Sequence, residues 1–487
     1  MRRLIQRGAG LTTRITTRIP AGLRVTLAYA LAIAWTKALA MLTVPMLTGM
    51  LSPADYGRLE LLSSAGEIGG LIAGAGLVDT LFRFGGAPGT PAGAQTARVA
   101  GLALMISCGV LALVAALSGQ ISAAMPLATP RGDILLLGAA VALESAIGVP
   151  LGWLRMNRRA GSFAAITMLR ATLQAGLVVA LVWTGHGVEG VLWAGCVSCI
   201  IIASLLTVRQ ARETGLGFAP RESLRLLGYG LPLLGGGLAS FVLGTADRWL
   251  LAGQVSPEQL GHYGLAAKVA LIVALVAQPF ELWWYPQRIA LSRSAEGIAR
   301  SGRVVGAGAA ALMLAGAAIA LAAPTLVGLL APASYAPAAS MVAPLVLALV
   351  CQLLSSMANV GCYARASSTQ PMAVNAAAAG VALIFYLLLI PGMGVRGAII
   401  ATVISQAARL AMFATLSQRS VRIVWPLRRL LATATAAIAT GAVPLLLAPG
   451  LNTTLLGGAL LALTALLATV TILDPMPRPR ILRAMEA

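Results

Sequence analysis

The sequence predicts an all-α, polytopic membrane protein of about fourteen transmembrane helices, and three observations carry that prediction. Hydrophobic residues make up 59% of the 487-residue chain and charged residues only 10%, more apolar surface than one soluble core can hide. The apolar residues gather in runs of about 20, the length that crosses the hydrocarbon of a bilayer at 1.5 Å rise per residue. Glycine occupies 53 positions and alanine-rich runs recur, and such small residues let membrane helices approach one another closely. A mean hydropathy of +0.88 agrees.

Taken in order, the runs place helices near 25–48, 59–82, 99–118, 134–154, 163–184, 188–208 and 228–251, then near 262–285, 304–327, 338–358, 372–390, 397–416, 428–447 and 453–473. The first follows a basic, Thr-rich segment that resembles a signal-peptide n-region, but the polytopic pattern behind it argues for a retained helix. The connections alternate in charge. One side carries Arg2, Arg3, Arg7, Arg14, Arg18 and Arg24, and later Arg155, Arg158 and Arg159, Arg209 and Arg212, Arg288 and Arg293, Arg419 and Arg422, and Arg478 and Arg480. The other holds only Arg58, Arg131 and Arg396. The positive-inside rule therefore puts both termini in the cytoplasm, and an even number of spans satisfies it. The net charge of +20 then records orientation and calls for no nucleic acid. The longest connections, such as 85–98 and 286–303, are too short to fold as soluble domains. Residues 219–228 are expected to lie as a short amphipathic piece on the cytoplasmic face before the seventh helix.

Ser-Pro-x-x-x-Gly occurs twice, as Ser52-Pro53 to Gly57 and as Ser256-Pro257 to Gly261. Both copies fall between the first and second helix of a six-helix half. Duplicated halves are a common transporter design with the binding site between them. The plain reading of both copies is turn chemistry, with each glycine letting the chain re-enter a helix. Pro45, Pro150 and Pro232 fall within or at the start of spans, where they kink helices.

The five cysteines, Cys108, Cys196, Cys199, Cys351 and Cys362, lie within apolar runs, without metal-ligand or disulfide spacing, and read as small core residues. No metal site, nucleophile motif, phosphate loop or dinucleotide fingerprint can be assembled, so no cofactor and no enzyme chemistry is expected. Trp283, Trp284 and Tyr285 read as an interfacial aromatic belt.

The stretches PMLTGMLSPADYGRLELL and GAGLVDTLFRFG in the first half, and YGLPLLGGGLASFVLGTADRWLLAGQVSPEQLGHYGLAAKVA in the second, resemble the oligosaccharide flippases of polysaccharide biosynthesis (Wzx-like). That family belongs to the MOP superfamily, which also holds the MATE drug exporters and the lipid II flippase. Tyr229, Pro232, Asp247, Arg248, Gly261, Tyr263 and Lys268 stand at family-like positions. The chain departs from the family at Thr48-Gly49-Met50, where members often carry a basic residue. The resemblance implies two six-helix lobes around a central cavity plus two C-terminal helices. It also implies alternating access that moves a polyprenyl-diphosphate-linked oligosaccharide outward across the bacterial inner membrane. With it, the chain divides into a basic cytoplasmic segment at 1–24, an N-lobe at 25–208, a cytoplasmic linker at 209–227, a C-lobe at 228–416, helices 13 and 14 at 417–473 and a cytoplasmic tail at 474–487. A monomer is expected, in contact with membrane lipids, and polysaccharide polymerase and export proteins are candidate partners.

Ionisable groups at membrane depth are the informative residues, because each is costly unless it faces protein or water. Lys37, Arg170, Arg248, Lys268 and Arg409 are the candidate cationic lining, supplying charge and donors to a diphosphate. Structural pairing or snorkelling is the alternative for each. Asp79 and Arg83, four apart on one helix face, read as an intrahelical pair. Asp247 and Arg248, adjacent in sequence, are expected to need separate partners, and the resemblance, in which an Asp-Arg pair recurs at this position, implies a gate or lobe contact. Glu67, Glu144 and Glu281 are carboxylates without a local partner, able to carry a coupling proton, bind sodium or pair with a distant cation. Two other functions remain open: a cation-coupled, MATE-like multidrug exporter, and a membrane-embedded glycosyltransferase or O-antigen ligase. The short external connections, with little beyond Asp55, Asp133, Glu189 and Glu258, speak against the enzyme.

Overall fold

The computed structural model describes residues 21–364, 369–447 and 451–473. Residues 1–20 of the basic segment and the tail at 474–487 lie outside the described residues. Every described element is helical, and fourteen helices are long and apolar enough to cross a membrane. Spans 1 to 7 are Leu27–Met50, Pro53–Phe84, Pro91–Ala124, Arg131–Met156, Ala160–Trp183, Gly187–Glu213 and Arg221–Gly244. Spans 8 to 14 are Pro257–Tyr285, Ala295–Leu321, Ala333–Ala358, Thr369–Met393, Val395–Ser420, Leu427–Leu446 and Leu455–Ile472.

Several spans overrun the apolar stretches that announce them, because a helix keeps its backbone hydrogen bonds beyond the hydrocarbon and capping residues decide where it stops. Thr90 caps span 3 by accepting from the Gly93 amide at 3.0 Å, and Pro91 follows at the first helical position. The expected amphipathic piece is a helix that leads into span 7 without a loop. A helix runs over Pro220–Gly230, continues through a 3-10 turn at Leu231–Leu233 that contains Pro232, and ends at Gly244. Glu222 in its first turn pairs with Arg98 of span 3.

The chain forms two compact units. One holds the described residues up to Met50 together with Ala65–Gly235, and the other holds Leu51–Ser64 and the described residues from Gly236 onward. The boundaries cut spans 2 and 7 and leave the loops whole. In the first unit, Leu77, Leu81, Val99, Leu102, Val149, Trp153 and Leu226 join spans 2, 3, 4 and 7 in one core. A second core of Ile147, Leu154, Ile166, Cys199, Ile202 and Leu206 joins spans 4, 5 and 6. Span 2 breaks at Ala75 and Gly76, both with positive φ, and the Gly230 carbonyl of span 7 fills the place of a Gly76 side chain. In the second unit, Phe413 of span 12 packs on Cys362 and on Val374 of span 11.

Two expectations change here. Cys196, Cys199 and Cys362 are buried and Cys351 partly so, but Cys108 is exposed on span 3. Of the aromatic triplet, Trp283 is exposed while Trp284 is fully buried and stacks on Phe280. Neighbouring helical residues diverge by about 100°, so Trp283 points outward while Trp284 turns into the protein.

Candidate functional site

The most buried charges of the second unit gather around the two Ser-Pro-x-x-x-Gly copies. Ser52 accepts from the Asp55 amide at 3.1 Å and donates to Asp55 Oδ2 at 2.7 Å, so a helix starts at Pro53. Ser256 caps the second copy by accepting from the Gln259 amide at 3.3 Å, and Pro257 is its first helical residue. Both glycines therefore sit inside helices, one turn past the cap, and the turn role expected for them is not what they perform. A Cβ on Gly57 would strike the Pro257 carbonyl oxygen, and a Cβ on Gly261 would strike that of Pro53. The two helices cross backbone to backbone, as small residues permit.

One turn further on, Glu60 reaches the place a side chain at Gly264 would take. Its carboxylate is buried, 4% exposed, and ion-paired to Lys268 Nζ and to Arg248 Nε, the latter at 3.2 Å. Arg248 also donates from Nη1 to Asp247 Oδ1 at 3.4 Å, and the backbone amide of Arg248 donates to the same oxygen at 2.9 Å. The Tyr263 hydroxyl donates to Asp247 Oδ2. Asp247 and Arg248 thus have separate principal partners, as adjacent residues should, and still touch each other. The Lys268 ammonium stands 5.1 Å from the Tyr56 ring centroid, and Arg248 lies 5.9 Å from that of Tyr263. Tyr56 meets Tyr335 edge-on at 5.9 Å, and the Tyr335 hydroxyl donates to the Leu51 carbonyl at 2.9 Å.

The four charges balance, two acids against two bases, which is what makes them tolerable in an apolar interior. They are not equally enclosed: the Lys268 side chain is 33% exposed. A cation held by a buried carboxylate yet open on one side can pass its charge to an incoming anion.

The first unit has a further pair on spans 4 and 5, besides Arg98–Glu222 and the pairs that Glu213 makes with Arg159 and Arg209. Arg170 Nη2 bonds Glu144 Oε1 and lies 3.5 Å from Cys199 Sγ, with both charged side chains partly exposed. Glu144 opens the second half of span 4, after the helix breaks at Leu143.

The remaining candidates do not join either group. Lys37 is exposed on span 1 and makes no ion pair among the described residues. Asp79 and Arg83 are exposed and, among the described residues, form no ion pair, against the expectation from their spacing. They stand in the first and last turns of the eight-residue helix Leu77–Phe84, where an acid and a base each complement the helix dipole without meeting. Glu67 is exposed. Glu281 accepts from the Tyr285 hydroxyl at 3.3 Å. Arg409 donates to Asn375 Oδ1 at 2.9 Å. Among the described residues, no group of three or more His, Cys, Asp or Glu could hold a metal ion.

Glu60 was not among the sequence candidates. A helix taken to begin near 59 leaves it at the membrane boundary, whereas the start at Pro53 carries it two turns inward. The signal lies in the repeat: Glu60 and Gly264 stand eight residues after Ser52 and Ser256, a carboxylate against a missing side chain.

Residues 46–340 match a family described as "Polysaccharide biosynthesis protein", a stretch that contains the whole Glu60–Lys268 cluster. The chain belongs to that family. No curated protein matches the chain. Among solved structures it is similar to "Lipid II flippase MurJ, inward closed conformation", with a TM-score of 0.70 and 10% identity over 90% of this chain and 98% of that one. It is also similar to an inward-facing multidrug resistance MATE family transporter of the MOP superfamily, with a TM-score of 0.55 and 18% identity over 80% of this chain and 97% of that one. At these identities the likeness establishes the fold alone, the one shared by that lipid II flippase and that MATE transporter.

Proposed function

We propose that this multi-pass membrane protein is a secondary flippase. It carries polyprenyl-diphosphate-linked oligosaccharide repeat units from the cytoplasmic to the periplasmic leaflet of the bacterial inner membrane by alternating access. The observation that carries the reading is the polysaccharide biosynthesis family match over 46–340, which encloses the Glu60, Arg248 and Lys268 ion pairs. Cations buried at membrane depth suit a substrate whose charge is a diphosphate, because they replace the water it loses on entering. The orientation with both termini cytoplasmic rests on the distribution of arginine. The transporter works as a monomer and leaves the saccharide covalently unchanged, and polymerase and export proteins act on what it delivers.

Deleting the gene should make lipid-linked repeat units accumulate on the cytoplasmic leaflet, read by their inaccessibility to a glycosidase added outside intact spheroplasts. Normal surface export in a host without a redundant flippase would overturn the proposal. The fold shared with a MATE transporter favours one alternative, cation-coupled drug export. Drug efflux from proteoliposomes that is indifferent to lipid-linked sugars would establish that alternative.

A further inference from the structure

The second unit holds another pair of cations, away from the glycine crossing. Arg288, in the last turn of the helix Ile272–Leu291, lies between two aromatic faces, its guanidinium carbon 4.5 Å from the ring centroid of Tyr285 and 4.7 Å from that of Tyr363. Its Nη1 donates to Asn359 Oδ1 at 2.8 Å and to the Ser356 carbonyl at 3.5 Å. Its Nε is enclosed and donates to nothing among the described residues. Arg409 stacks on Phe413, 5.5 Å from the ring centroid, and donates from Nε to Asn375 Oδ1. Phe413 packs on Cys362 and Val374, the neighbours of Tyr363 and Asn375, so Arg288 and Arg409 flank one small group of residues. Tyr285 and Tyr363 lie within electrostatic reach of both guanidiniums.

Among the described residues, neither arginine has a carboxylate within ion-pair distance, whereas Arg170, Arg248 and Lys268 each do. Glu281 stands further off, within electrostatic range of Arg288, and is occupied by Tyr285. Burial, only partly offset by Tyr285, Tyr363 and Glu281, draws the Arg288 guanidinium below its ordinary pKa, yet a guanidinium stays charged. Two guanidiniums oriented by amides and aromatic faces, with Arg409 Nη1 and Nη2 and Arg288 Nη2 given no acceptor among the described residues, match a phosphate group, whose oxygens accept several charged donors. The amides serve as orienting acceptors, which fix each fork without neutralising it.

We infer that Arg288 and Arg409, with Tyr285 and Tyr363 as walls, form a binding site for a phosphate or diphosphate anion, separate from the Glu60–Lys268 cluster. The end of the unit that holds it carries Arg293 and Arg419, so under the proposed orientation it is a loading site on the cytoplasmic face. That clause rests on the transport reading; the anion site does not. A phosphate there could belong to a polyprenyl diphosphate, to an anionic phospholipid or to free inorganic phosphate.

The test is binding to the full-length protein in nanodiscs, read by native mass spectrometry and calorimetry. Three probes distinguish the sources: a short-chain prenyl diphosphate, inorganic pyrophosphate, and phosphatidylglycerol supplied in the disc. Arg288→Gln and Arg409→Gln should each weaken binding of at least one probe about ten- to a hundredfold, the loss expected for a hydrogen bond to a charged group. Arg288→Lys and Arg409→Lys keep the charge, guard against misfolding of the Gln variants, and should restore only part of the affinity because lysine cannot fork or stack. Preference for the prenyl diphosphate identifies a substrate site, preference for pyrophosphate a free-anion site, and preference for the phospholipid a headgroup site. Unchanged affinity for all three probes in all four variants would overturn the inference and leave the flippase reading standing. Intact binding in a protein that moves no lipid-linked sugar would do the reverse.

Discussion

Replacing Glu60 by Gln keeps the shape beside Gly264 but strands Lys268, which keeps the Tyr56 ring beside it, and leaves Arg248 with Asp247 as its acid and the Gly244 carbonyl as a neutral acceptor. Removing one member of a buried ion pair costs about 3–5 kcal/mol. Lys268 is one-third exposed, so water recovers part of that, and about 2–3 kcal/mol remains. The expected shift is roughly 30- to 150-fold in the unfolding equilibrium. Reversible unfolding in mixed micelles, titrated with sodium dodecyl sulfate, measures it. Glu60→Gln/Lys268→Met should recover most of the loss, because an apolar pair is tolerated where a lone charge is not. Additive losses in the double variant, or a single-variant loss under about 0.5 kcal/mol, would refute the claim that Glu60 neutralises Lys268.

Gly57→Ala and Gly261→Ala should each destabilise the fold by more than the ~1–3 kcal/mol typical of overpacking, since the added methyl meets a carbonyl oxygen instead of a movable side chain; thermal unfolding of purified protein checks this. Tyr263→Phe should cost about 1–3 kcal/mol by leaving a buried Asp247 oxygen without its donor, measured in the same micelle titration. Arg170→Leu should cost less than Glu60→Gln in the same micelle titration, because both partners of its ion pair are partly exposed whereas Glu60 is enclosed. Cys196, Cys199 and Cys362 should resist a bulky maleimide in the folded protein and react only after unfolding, as mass spectrometry would show.

The fourteen spans were legible because each announces itself by composition over about 20 residues, independent of any partner. The charge cluster was only half legible. Lys268, Arg248 and Asp247 stand out as ions inside apolar runs, but Glu60 follows a polar stretch that hydropathy assigns to a loop, and only the Ser52 cap and Pro53 show that the helix has already begun. Pairing across spans has no local signature: nothing in the sequence joins Arg170 to Glu144, or Arg409 to Asn375. The spacing of Asp79 and Arg83 misled for the opposite reason, since a shared helix face permits a pair without requiring one.

The crossing at Gly57 and Gly261 makes the two copies of the motif depend on each other sterically. Each missing side chain is occupied by the other copy's backbone, so neither glycine can be replaced while its counterpart's helix stays in place. The coupling extends to register: one residue inserted between Gly57 and Glu60 would swing the carboxylate about 100° around its helix, off Gly264 and away from Lys268. A change of register in either stretch is therefore felt by both helices.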